Sequence, residues 1–110
     1  MAVMSLNARK AAAVARMIAA LAVLRPALAE RARLLGGSYL LYGSAARGDL
    51  RHDSDIDLLL DFPDETATAA AWSFAEEAAA RLDLPADIRP IGLCSDRFLA
   101  HVLPAAIRLS

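Results

Sequence analysis

The sequence predicts an α+β fold, a small mixed β-sheet packed with helices, on three observations. Two short apolar runs, SYLLY (Ser38 to Tyr42) and DIDLLLDF (Asp55 to Phe62), have the length and residue types of strands. Alanine-rich stretches with helical spacing flank them. The resulting order is helix, strand, strand, helix, strand, helix, which stacks helices on a sheet.

Asn7 is expected to cap a first helix running through Leu24, with Val14, Met17, Ile18, Leu21 and Leu24 as its apolar stripe. Pro26 should interrupt it and open a second helical stretch carrying Leu28, Leu34 and Leu35, stopped by Gly36 and Gly37. SYLLY then forms a buried strand that leads straight into Gly43 and Ser44. After a polar loop, DIDLLLDF begins polar and ends apolar, so its chemistry belongs at its start. Asp64, Glu65 and Thr66 lead into a helix from about Ala67 to Leu82, whose Trp72, Phe74, Ala75, Ala78, Ala79 and Leu82 face the core. ADIRPIGL is a third strand between Pro85 and Pro90, and those prolines argue for an edge position. The tail, Arg97 to Leu109, is expected to be one helix bent at Pro104.

A chain of 110 residues suits one domain with a single core, so residues 1–110 are read as one unit. Its 12 Lys and Arg against 13 Asp and Glu leave a net charge of −1, too little to draw in nucleic acid or an anionic membrane by the field of the whole molecule. The hydrophobic share of 57% implies an apolar surface covered by a partner or a second copy. Cys94 is the sole cysteine, which excludes an internal disulfide, agrees with a reducing compartment such as the cytoplasm, and is read as a small buried hydrophobe. The first thirty residues imitate a secretory signal, but Arg16 and Arg25 leave only eight apolar residues between them, fewer than the roughly 18 of a membrane span, which favours a buried helix.

The stretch YGSAARGDLRHDSDID carries the chemistry. Asp55 and Asp57 are two apart on a strand, so they point the same way with Cα atoms about 6.5 to 7 Å apart. Like charges at that separation call for a cation between them, and oxygen donors favour Mg²⁺ or Mn²⁺ together with substrate phosphate. Gly43 lets the backbone approach a ligand, Ser44 offers donors to phosphate oxygens, and Arg47 adds a phosphate contact from a short helical turn ended by Gly48. Asp61 shares the face but lies about 13 Å along the strand. Asp87 reaches the correct height from the third strand, where it suits a general base toward a hydroxyl acceptor. Arg89, on the face of Asp87, is either its salt-bridge partner or a phosphate contact. Trp72 reads as packing, and His52 and His101 as surface or packing residues without ligand spacing. GSAARG has neither the dinucleotide-binding nor the P-loop glycine spacing.

Gly43-Ser44, ten residues, then Asp55-x-Asp57, with Arg47-Gly48 between, resembles the minimal nucleotidyltransferases of the DNA polymerase beta superfamily. The likeness runs from about Pro26 through the Asp87 strand to DRFLAHVLPAAIRL. It implies transfer of AMP from ATP to a hydroxyl with release of pyrophosphate. By the same resemblance Gly43 and Ser44 hold the phosphates, Asp55 and Asp57 the metals, and Asp87 completes the carboxylate triad, although Arg89 and Pro90 depart from the family's apolar third strand. Small free-standing members resemble antitoxins whose partner is an all-helical HEPN protein with RNase activity, inactivated by adenylylation of a tyrosine. That implies a hetero-oligomer or a homodimer. Two other readings remain: an antitoxin acting by binding alone, and an adenylyltransferase of a small hydroxylated molecule such as an aminoglycoside.

Overall fold

The computed structural model describes residues 5–110. Met1 to Met4, where the signal-like stretch begins, lie outside the described residues.

Helix α1 runs unbroken from Leu6 to Leu35. Ser5, rather than Asn7, caps it, its Oγ accepting from Ala8 N at 3.1 Å. Pro26 sits inside the helix instead of ending it. Proline costs the helix one N–H bond, but Leu24 and Leu28 on either side are fully buried, and their packing holds both turns in line. The buried stripe is Met17, Leu21, Leu24, Leu28 and Ala32, at the i, i+4, i+7 spacing of one face. The expected members Ile18 and Leu34 are exposed, while Val14 is half-buried. At the C-terminus Gly36 takes a left-handed φ of 77°, which a side chain would disfavour.

Strand β1 is Ser38–Tyr42, as the apolar run predicts. A five-residue helix, α2, follows immediately over Gly43–Arg47 and ends at Gly48. Strand β2 spans Ile56–Asp61, so Asp55 stands just ahead of it. Helix α3, Glu65–Arg81, begins two residues earlier than expected because Asp64 is its cap, accepting from Ala67 N at 2.7 Å. Ala71, Ala75 and Ala79 form its buried line, with Trp72, Phe74, Ala78 and Leu82 packed partly against the core. Strand β3 is Ala86–Pro90, and a 3-10 turn follows over Ile91–Leu93.

The tail is not one helix. Asp96–Val102 forms α4, Leu103–Ala105 a 3-10 turn around Pro104, and Ile107–Leu109 a fourth strand, β4. The strand forms because β1 still has a free edge, and β4 pairs antiparallel with it, Leu109 opposite Tyr39.

The four strands lie in the order β3-β2-β1-β4, β1 antiparallel to β2 and β4, β2 parallel to β3, so the sheet is mixed and β3 is an edge as its prolines predict. Side chains alternate faces along each strand. Tyr39, Leu41, Leu58 and Leu60, each at most 1% exposed, form the face packed with α1 and α3. There the Tyr39 hydroxyl donates to Ala71 O at 2.7 Å, and burial pushes its pKa up to about 12. Between the helices, Arg31 lies 4.3 Å from the Phe74 ring centre. The other face carries Leu40, Tyr42, Asp57, Leu59, Asp87 and Arg89, and α4 sets Phe98 against Tyr42. By length and composition α1 could also cross a membrane, and only 22% of its most apolar window is buried.

Candidate active site

The antiparallel register of β1 with β2 sets Asp57 opposite Tyr42, the residue before Gly43, and the parallel register of β2 with β3 sets Asp57 beside Asp87. Three consecutive strands therefore deliver Tyr42, Asp57 and Asp87 to one rung. Asp55, two residues ahead of Asp57, is close enough for its charge to be felt there. The Asp57 carboxyl is held above the usual carboxylate range, first by burial and then by the charges of Asp87 and Asp55, with Arg89 and Arg47 pulling the other way.

Gly43 closes the arrangement. Its φ is +70°, and a β-carbon there would overlap Asp57 Oδ2 and lie 3.2 Å from Asp57 Cγ. Only glycine allows the carboxylate to sit so near this turn. Ser44, half-buried, follows at the top of α2. Its carbonyl accepts from Asp49 N at 3.0 Å and from Gly48 N, which folds the loop back. Arg47 is exposed and pairs with Asp49, Nε to Oδ2 at 3.4 Å, while still lowering the Asp57 pKa. Thus Gly43, Asp57 and Asp87 come together, Asp55 stands near enough for its charge to act on Asp57, and Arg47 stands at the rim.

Sequence reasoning left Arg89 open between two roles. In the structure it is the partner of Asp87, donating from Nη2 to Oδ2 at 2.9 Å and from Nε to Oδ1 at 3.3 Å. Tyr42 and Phe98 went unnoticed. Their rings meet edge to face at 5.7 Å, and Arg89 lies 5.3 Å from the Phe98 centre. Burial, with the charge of Asp57 next, pushes the Tyr42 phenol up to about 12. Tyr42 was legible in principle, since alternation from a buried Leu41 places it on the carboxylate face; Phe98 was not, being distant in sequence on an element read as part of a longer helix. A crevice of about 390 Å³, lined by Trp72, Arg89, Cys94 and Phe98 among others but by none of the three aspartates, opens along the β3 edge. Cys94 is only partly buried there, less than a core position would be. His52 and His101 are exposed.

Residues 21–100 match the nucleotidyltransferase domain family, well over half of the chain. The chain belongs to that family. Its place in the DNA polymerase beta superfamily follows, and the matched span contains the Gly43 turn and all three aspartates. Nucleotidyl transfer is the chemistry of a nucleotidyltransferase domain, and a four-stranded mixed sheet carrying helices is consistent with it. No curated protein and no solved structure matches significantly.

Proposed function

We propose that this nucleotidyltransferase moves AMP from ATP to a hydroxyl, in the presence of Mg²⁺, and that the hydroxyl is a tyrosine of an all-helical HEPN-type toxin for which the chain is the cytoplasmic antitoxin. One observation carries the catalytic part: a β-carbon at Gly43 would overlap Asp57 Oδ2, so the carboxylate sits against this turn, and Asp57 shares its rung with Asp87.

The donor set suits a divalent cation. Asp55, Asp57 and Asp87 offer only oxygen, and their mutual repulsion is what raises Asp57 beyond the effect of burial. Among the described residues no three acidic, His or Cys side chains converge into a ready metal group. Mg²⁺ does not need one, since it is held by one or two carboxylates plus substrate phosphates and water. When bound, the cation would neutralise the carboxylates and polarise the phosphate. Gly43 leaves the triphosphate room to approach the backbone, Ser44 donates to it, and Arg47 meets it from the rim. The acceptor oxygen attacks the α-phosphorus as its proton passes to Asp87. The bond to the α,β-bridging oxygen breaks, and pyrophosphate leaves with that electron pair.

The protein partner is supported by apolar surface. Leu6, Ile18, Val23 and Leu34 of α1 are 57–71% exposed, and Leu93 is 80% exposed. A binding-only antitoxin draws on one observation of its own, the engagement of Asp87 by Arg89. The discriminating experiment incubates the full chain with Mg²⁺, the product of the neighbouring gene, and ATP labelled at the α-phosphate. Label should appear on a tyrosine of the partner and vanish with Asp57→Ala while the complex persists. A tight complex that never acquires label would establish binding alone.

A further inference from the structure

We propose that Arg89 is a built-in counter-ion that occupies the place of a cation at Asp87, so that the third carboxylate joins the metal site only when Arg89 lets go; this rests on the carboxylate roles given above. Arg89 and Asp87 are two apart on β3 and share its outer face. The guanidinium engages both carboxylate oxygens, Nη2 to Oδ2 at 2.9 Å and Nε to Oδ1 at 3.3 Å, a two-pronged pairing that fixes direction as well as distance. A carboxylate so held faces its arginine. Asp57, its register partner one strand away, makes no such side-chain bond among the described residues, and the charges of Asp87 and Asp55 bear on it. Among the described residues no three acidic side chains form a preassembled metal group, as expected if Asp87 is held by Arg89.

The pair is also built to open. The two side chains are 49% and 37% exposed, so solvent screens their attraction and a doubly charged ion competes with it at little disadvantage. Phe98 gives the guanidinium a second resting contact at 5.3 Å. That ring is braced in turn by Tyr42, edge to face at 5.7 Å, and α4 holds it in place through the Ser95 cap, whose Oγ accepts from Phe98 N at 3.1 Å. Arg89 can therefore release Asp87, remain over Phe98, and turn its charge toward the incoming triphosphate. Arg89 acts here as a positioning residue.

The test titrates Mn²⁺ into the full chain without nucleotide, reading free Mn²⁺ by electron paramagnetic resonance. Arg89→Gln should bind Mn²⁺ about two- to fivefold more tightly than the parent, the range that a screened ion pair allows, and adding Asp87→Asn should cancel the gain. Thermal melts establish that each variant is folded. Should Arg89→Gln fold poorly, Arg89→Lys serves, because one ammonium cannot engage both oxygens and a smaller gain is expected. Equal or weaker Mn²⁺ binding by the folded variant overturns the proposal, as does a gain that survives Asp87→Asn. Transfer by the parent without any Mn²⁺ gain would remove this role of Arg89 alone; a gain without transfer would keep it and remove the proposed activity.

Discussion

At Gly43 a methyl group meets the Asp57 carboxylate, which must move to admit it. It would overlap Asp57 Oδ2, on a residue whose φ of +70° already disfavours a side chain. Gly43→Ala should therefore cost about 1–3 kcal/mol of stability, visible in thermal unfolding, and should weaken Mg²⁺-dependent ATP binding as Asp57 is pushed aside. Asp57 has the opposite effect on stability. Its carboxyl is raised chiefly by burial, then by Asp87 and Asp55. Between the ordinary carboxylate value and the raised one, the native state holds more protons than the unfolded chain, so stability falls as pH rises through that window and the deficit persists above it. Asp57→Asn removes the deficit. It should raise the melting temperature at pH 7 by a few degrees, equivalent to less than about 1 kcal/mol for a partly solvated group, and flatten the dependence on pH below neutrality. An unchanged melting temperature would show that the carboxylate is not under strain.

Among the elements, α1 shows most clearly what local rules leave out. Pro26 reads as a stop, yet the helix runs through it, because Leu24 and Leu28 bury completely on either side. Pro26 itself is exposed. Pro26→Ala should restore one backbone bond without disturbing the core, gaining about 1–2 kcal/mol against the roughly 3 kcal/mol difference seen in isolated helices, measured by denaturant unfolding. The strands were legible for a different reason. SYLLY and the apolar part of DIDLLLDF are runs that only a buried strand of that length explains, and Pro85 and Pro90 marked β3 as an edge. β4 escaped notice because Ile107–Leu109 is too short to show alternation, and its existence depends on the free edge of β1, a fact of the assembled sheet. The same holds for Arg89: its spacing from Asp87 was plain, but the second contact, with Phe98 of α4, depends on the assembled fold.

For the molecule as a whole, apolar residues exceed what the sheet can cover. Val23 and Leu34 lie eleven residues apart on α1, three turns on and thus on one line, and both are more than half exposed. Val23→Glu should leave stability within about 0.5 kcal/mol while weakening, in size-exclusion chromatography, any complex formed with the partner proposed above. The pairing of Asp57 with the Gly43 turn was readable from the spacing of the two motifs, whereas Asp55 stands ahead of β2, where strand alternation no longer fixes its face. The height of Asp87 was confirmed only by the parallel register of β3 on β2. The most direct measurement is calorimetric titration of ATP into the full chain with and without Mg²⁺, repeated on Asp57→Asn. Saturable binding that requires Mg²⁺ and is lost in Asp57→Asn is the predicted result. Equal binding by the parent and by Asp57→Asn, whether or not Mg²⁺ is present, would contradict it.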